Sequence, residues 1–352
     1  MKDDGPQSAI DRCFDVTIVG GGPAGSAAAI WCALTGLEVA VVESAKFPRH
    51  RPGESLHPGV LPILRQLGVG DQVEESGFFR YPGQTVVWGS EPAFHAFGND
   101  ESGPWMGLQA IREKFDAILL ERAKSLGVVV LQPCDARSPI MEGRRVIGIN
   151  SSKGPIRSRW VFDATGRRHW LGRRIGGGIY FASRQLIAHY GYANSRVKNR
   201  QLVPRLEADR DGWTWISPIA NDFYAWVRLP FQHVRGRLEP PPRELDGFVP
   251  LGPTRAADVT WRLLTNAAGP GYFVVGDAMS VLDPLSSHGV LKALMSGMQA
   301  AHLVRLVRRK GMNELIAIRS YKEWSLQLFQ HEVKNMRELY ARLPAEYDFS
   351  LS

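Results

Sequence analysis

Cysteine is scarce in this sequence. Cys13, Cys32 and Cys134 are the only three in 352 residues, too few and too scattered for a disulfide framework or a zinc cluster. No metal site is expected, and a reducing compartment, the cytoplasm, fits. No run of about 18 apolar residues occurs, so no transmembrane helix is expected. Residues 1–12 lack the apolar core of a signal segment and read as a disordered leader. Internal repeats and low-complexity tracts are absent too. The net charge of +8 is carried largely by arginine, but no recognition motif accompanies it, which argues against nucleic acid as a partner. A polyanionic cofactor or an acidic partner would use some of that charge.

Hydrophobic residues make up 44% of the chain, enough for a sizeable core. The stretch from Asp15 to Ile30 organises the rest. An apolar run, Val16 to Val19, has the length of a buried strand. Gly20, Gly22 and Gly25 follow in G-x-G-x-x-G spacing, with Pro23 and Ala24 opening an Ala-rich helix. A second apolar run ends at Glu43, and Ser44 follows. A strand, a glycine turn, a helix and a strand ending in an acid form a unit that binds a dinucleotide. Gly22 lets backbone approach a pyrophosphate, the helix N-terminus faces the phosphates, and Glu43 accepts from ribose hydroxyls. No second G-x-G-x-x-G is present for a nicotinamide cofactor.

Downstream, Ser44 to Ser55 reads as an extended loop, and apolar spacing predicts helices over 57–67 and 112–126. Strands are expected at 128–131, 145–150 and 156–162. From 178 to 264 the pattern turns to alternating, aromatic-rich strands. Long helices are expected over 289–309 and from 313 to about 343. The fold class is therefore α/β: a Rossmann-like domain from 13–78, 103–177 and 268–312, an inserted, mainly antiparallel substrate sheet from 79–102 and 178–267, and a C-terminal helix in 313–352.

Several separated blocks resemble FAD-dependent monooxygenases of the single-component aromatic hydroxylase type. The nearest branch is similar to flavin-dependent halogenases, geranylgeranyl reductases and the flavoproteins that hydroxylate tryptophans during quinocofactor maturation. The resemblance implies FAD as cofactor. Besides the first unit, it assigns Arg51, Gly53, Glu54 and Ser55 to a G-E-S loop against the flavin. Gln109 and Arg112 fall at a helix start that touches the cofactor, with a plain surface arginine as the competing reading. Asp163, Ala164, Thr165 and Gly166 form a D-A-T-G turn near the adenine side, and Gly276 with Asp277 a G-D signature. Asp283, Pro284, Ser287, Gly289 and Val290 match a D-P-x-x-S-x-G loop at the flavin ring.

Within that loop His288 is the candidate catalytic residue, either bonding flavin or substrate or capping the helix behind it. His57, Trp88, Trp213 and Trp215 are candidate substrate residues, with burial in the core as the alternative. Two features depart from halogenases. Those enzymes carry a lysine about 30 residues after the G-E block, yet no lysine occurs here between Lys46 and Lys114, and Arg80 stands in that region. Their W-x-W-x-I-P block appears as Trp213-Thr-Trp215-Ile-Ser217-Pro218. The expectation drawn from these departures is hydroxylation of an electron-rich aromatic through a flavin C4a-hydroperoxide. The substrate would be an indole or a tryptophan, free or within a partner polypeptide. O₂ and an external reductant, NAD(P)H or a reductase, would be needed. A halogenase or ene-reductase is the alternative enzyme, and an FAD-bound maturation partner without turnover the alternative outside catalysis.

Overall fold

The strand Cys13–Val19 is the axis of the first sheet. The computed structural model describes residues 13–88, 91–196, 203–232 and 238–342, so the leader expected at 1–12 lies outside the described residues. Val16 and Ile18 have no exposed surface, as expected for a continuous apolar run buried on both faces of a parallel sheet. Cys13–Val19 pairs in parallel with Val39–Val42 on one side and with Gly154–Asp163 on the other. Val129–Leu131 extends the sheet beyond Val39–Val42, again in parallel. The long strand Gly154–Asp163 splits its far edge. Its beginning pairs antiparallel with Arg145–Ser151, and its last three residues pair in parallel with Tyr272–Val274.

The helix Pro23–Leu34 is buried on almost every side. Its alanines let the sheet and two other helices, Arg112–Ser125 and Gly289–Lys310, approach closely. Contact with the latter is tight enough that a Cβ on Gly297 would fall 2.3 Å from the carbonyl oxygen of Ala24. Gly289–Lys310 stops at Gly311, whose φ of 70° is the left-handed terminator of a helix end. Asn313 then caps the last helix, Glu314–Tyr340, by accepting from the Leu315 N–H at 2.8 Å.

The inserted sheet runs in the order Val249–Pro250, Ile187–Asn194, Phe223–Pro230, Gly212–Ala220, Arg205–Ala208, Gly83–Trp88 and Ala93–Ala96, and Arg255–Asp258 also pairs with Ile187–Asn194. Every pairing in it is antiparallel except that of Arg205–Ala208 with Gly83–Trp88. Gly212–Ala220 is buried almost throughout rather than on alternate residues, because both of its faces are covered. Phe79–Tyr81, expected in the insert, instead joins Ser55–Leu56 and Gly107–Gln109 in a small separate sheet. Pro82, which has no N–H to donate, interrupts the run before Gly83.

Candidate functional site

A cavity of about 970 Å³ lies between the dinucleotide domain and the inserted sheet. At one end it is built from backbone. Gly20 has a φ of 107°, and a Cβ there would lie 2.4 Å from the carbonyl oxygen of Ala164. A Cβ on Gly25 would lie 1.9 Å from the Gly20 carbonyl oxygen, so Gly25 packs under the turn and does not line the cavity. Gly22 is different. Its missing side chain would meet only Arg49 Nη2, at 3.2 Å, so backbone at Gly22 is open to the cavity beside Pro23 and Ala24. The helix that starts there has no side-chain cap, which leaves its first N–H groups for a ligand.

Glu43 is held by two backbone donors, Gly21 N–H at 2.7 Å and Ala45 N–H at 2.8 Å. Lone pairs remain, and the residue lines the cavity with Ser44. Asp163 shapes the opposite rim. It accepts from Thr165 N–H at 3.0 Å, Thr165 Oγ1 at 2.7 Å and Leu171 N–H at 2.7 Å, and burial raises its pKa. Ala164, Thr165 and Gly166 thereby face the cavity, joined by exposed Arg168, Arg173 and Arg174.

Arg112 is the hub of the middle section. Its Nε and Nη2 grip Asp116 at 2.9 and 3.1 Å, and its Nη1 donates to the Pro52 carbonyl at 3.0 Å. Arg49, which the motifs did not single out, shares Asp116 Oδ2 with Arg112, donating from Nη1 at 3.1 Å. Its buried Nε makes no hydrogen bond among the described residues and stands 4.0 Å from Glu43 Oε1, so its N–H remains available to an anion. Arg51 and Asp277 also line this section, and Gly276 is buried behind Asp277 with its N–H on Ser296 Oγ at 2.8 Å. An open helix N-terminus, a carboxylate at the strand end and a guanidinium N–H without a hydrogen bond suit a nucleotide carrying a pyrophosphate. The residues fit FAD.

At the other end the cavity is built from side chains of distant segments. Glu54 accepts from the Tyr192 hydroxyl at 2.7 Å and from Gly53 N–H at 3.0 Å, and burial still raises its pKa. Pro284, Ser287, Gly289 and Val290 line the same end. His288 lines it too and makes no capping hydrogen bond to the helix behind it. It faces His57 edge-on, with ring centroids 4.9 Å apart. Burial, then the neighbouring His288, pushes the His57 pKa down to about 4. Burial, then Lys292, lowers that of His288. Both imidazoles are therefore neutral at pH 7.

The remaining expected residues divide. Trp213 and Trp215 line the cavity, but Trp213 is fully buried and donates from Nε1 to Tyr340 Oη at 2.7 Å. Tyr340 in turn donates to Asp283 at 2.8 Å, as does Trp261 Nε1. Asp283 is fully buried, which raises its pKa to about 6. Trp88 does not line the cavity, because its strand belongs to the outer part of the inserted sheet. Gln109 does not line it either; it is buried and reaches it through Ser55, whose hydroxyl donates to Gln109 Oε1 at 3.0 Å. Arg80 points outward to Glu74 at 3.4 Å, because side chains alternate along a strand and Tyr81 takes the inner side.

Lys292 and Glu332 were missed by the motifs. Lys292 lies one turn after His288 on the same face of Gly289–Lys310, lines the cavity and donates from Nζ to the Ser280 carbonyl at 2.8 Å. It forms no ion pair among the described residues. Glu332, from the last helix, lines the cavity as well. Burial raises its pKa in spite of Lys292. The i, i+4 spacing of His288 and Lys292 was the available signal.

A cavity of this build defines a dinucleotide-binding flavoprotein. A family described as FAD binding domain matches residues 13–225, and the chain belongs to that family. Among FAD-dependent oxidoreductases it is of the monooxygenase/halogenase-like kind. It is 29% identical over 331 residues to a tryptophan 2-halogenase of Chondromyces crocatus, covering 83% of this chain and 61% of that protein, so it spans less than two thirds of that relative's length. It is 28% identical to a 1H-pyrrole-2-carbonyl-[peptidyl-carrier protein] brominase of Pseudoalteromonas luteoviolacea, covering 89% of this chain and 82% of that one. The fold is shared with a myxobacterial chondrochloren halogenase, at a TM-score of 0.86 and 24% identity, covering 96% of this chain and 85% of that chain.

Proposed function

We propose that the protein is a flavin-dependent halogenase acting on an electron-rich aromatic ring. The observation that carries this reading is Lys292 in the ring end of the cavity. The expectation of hydroxylation rested on a missing lysine after the G-E block and on Ser217 in place of isoleucine in the tryptophan block. The chain supplies an ammonium group from a different element, and the halogenase relatives extend over more than four fifths of it.

FAD, when bound and reduced, supplies the chemistry that turns O₂ and halide into hypohalous acid. Lys292 then donates a proton to the departing hydroxide as the halogen passes to a ring carbon. The O–X bond breaks, the C–X bond forms, and the proton the ring gives up returns through water to Lys292, leaving halogenated ring and water as products. Trp213 and Trp215 wall the ring off from bulk water. Electrons come from NAD(P)H or a separate reductase, since the sequence holds a single dinucleotide fingerprint. The brominase relative takes its pyrrole on a carrier protein, and a carrier-borne ring is one form the substrate can take here.

Hydroxylation is the second reading, favoured by the outward turn of Arg80 and by the absence of lysine from that strand. Mass spectrometry of products from FAD-loaded protein, a flavin reductase and indole, with and without bromide, separates the two. We expect a bromide-dependent product that Lys292→Met lowers by roughly 10²–10⁴-fold, the range for a lost general acid, with FAD content unchanged. A product heavier by oxygen alone, indifferent to halide, would return the protein to the hydroxylases.

A further inference from the structure

Two neighbouring parallel strands, Gly154–Asp163 and Tyr272–Val274, stay paired as far as Asp163 and Val274. Each then leads into a 3₁₀ turn, Gly166–Arg168 after the first and Gly276–Ala278 after the second. Thr165 and Gly166 at one turn and Asp277 in the other line the cavity, at the carboxyl ends of strands where open α/β sheets bind ligands. His169 bridges the two turns. It is 2% exposed, and its φ of 46° is a left-handed value uncommon for a residue other than glycine.

One proton arrangement of the imidazole satisfies both of its contacts. Arg262 Nε stands 3.1 Å from His169 Nε2, and an arginine N–H can only donate. His169 Nε2 therefore accepts, and the ring proton sits on Nδ1, which donates to the Ala278 carbonyl at 2.8 Å. Arg262 is itself buried and held: its Nη1 donates to the Thr260 carbonyl at 3.0 Å and to Asp258 at 3.2 Å. A proton added to Nε2 would set one N–H against another beside a guanidinium. The ring would have to swing out and give up Ala278.

The charges around the ring act in the same sense. Burial lowers the His169 pKa below 6.5; the Ala278 carbonyl and Asp163 oppose the shift, while Arg262 and Arg173 add to it. Asp258, Arg167 and Asp277 act on Arg262 in turn. The neutral ring is thus complete at pH 7 and above, and the bridge is lost as pH falls through a value below 6.5.

We infer that His169 is a positioning residue for FAD: its neutral ring ties the Asp277 turn to the Thr165–Gly166 turn, and its protonation loosens the cofactor. The inference concerns cofactor retention and holds whether the loaded protein halogenates or hydroxylates its ring. The test is equilibrium dialysis of FAD from the loaded protein at pH 8 and pH 5, for wild type, His169→Asn and His169→Leu. Asparagine tolerates the left-handed backbone and keeps an N–H for Ala278, but does not titrate. Between pH 8 and pH 5 the wild-type Kd should rise about three- to tenfold more than that of His169→Asn, the range for one neutral hydrogen bond. Asp283, His57 and His288 titrate alike in both proteins and cancel. At pH 8 His169→Asn should keep most of the wild-type affinity. His169→Leu should already be about three- to tenfold weaker there, with the shallow pH dependence of His169→Asn.

The same pH dependence in wild type and His169→Asn, wild-type affinity in His169→Leu, or His169→Asn no tighter than His169→Leu at pH 8 overturns the inference. FAD release that follows His169, without any halogenated product, would sink the halogenase reading alone.

Discussion

The two ends of the cavity are built on different principles. The phosphate end is made of backbone: a glycine turn, an uncapped helix start and a carboxylate pinned by two N–H groups. The ring end is made of side chains brought from strands, loops and two helices, among them Ser217, Asp283, His288, Lys292, Glu332 and Tyr340. A backbone site constrains short spacings, because each geometric demand falls on a neighbouring residue. A side-chain site constrains only what the fold brings together. The first leaves little room for side chains in its glycine turn; the second can change its chemistry without losing the cofactor.

Replacing Gly22 with valine is the harshest way to break this contrast. A branched side chain would stand where backbone faces the phosphates. FAD affinity should drop at least roughly a hundredfold, the equivalent of losing two charge-assisted hydrogen bonds at about 1.5 kcal/mol each, and the purified protein should be colourless. Circular dichroism should be unchanged, since a Cβ at that position meets only the tip of Arg49. A yellow, folded variant would show that the phosphate end does not depend on bare backbone.

At the ring end the largest effect on stability should come from Asp283. Burial raises its pKa to about 6, so the folded protein holds that proton more tightly than the unfolded chain. Its contribution to stability is full below the unfolded pKa near 4 and is lost as pH rises through about 6. Over that window wild type should lose up to about 3 kcal/mol relative to Asp283→Asn, at 1.36 kcal/mol per pH unit. Urea unfolding of both proteins at pH 4.5 and 7.5 measures it, and a difference independent of pH would refute the buried-acid account.

Glu43→Ala probes the carboxylate at the end of the second strand of the phosphate end. It should weaken FAD binding by about 1–3 kcal/mol, the worth of hydrogen bonds to a charged group, and leave the redox behaviour of the remaining flavin alone. Equal affinity in fluorescence titration would mean that the carboxylate only shapes the turn. The smallest change is expected from Arg80→Ala. An exposed pair with Glu74 contributes at most about 1 kcal/mol, and product formation should not move. A large loss of turnover there would show that the strand, and not the helix, carries the cationic group of the reaction.

The same contrast explains what could be read from the amino acids. The first strand, the glycine turn, Glu43 and the helices after Gly289 and Asn313 follow from neighbours in sequence, and the structure places their ends within about three residues of expectation. Trp88 falls outside the cavity because a strand's neighbours in a sheet decide where its side chains lie. Gln109 looked like a cofactor contact and turned out to work through Ser55. Lys292 was invisible for a further reason: on a long helix, a lysine reads as a solvated position until another helix, here Glu314–Tyr340, covers it. Only the pairing of strands and helices puts Ser217 beside Ser55, 162 positions apart.

The helix Pro23–Leu34 has one more consequence, for the order in which the protein is made. It is apolar on nearly every side, and one of the surfaces that covers it, Gly289–Lys310, is synthesised far later. At 5–20 residues per second the ribosome needs tens of seconds to bridge that gap. Throughout it the nucleotide-binding unit is present with its alanine ridge uncovered, a surface that chaperones or premature self-association would take. Proteolysis of ribosome-bound chains stalled before and after residue 310 should find Pro23–Leu34 cleavable in the first and protected in the second. Protection in both would mean that the early segments shield the helix on their own.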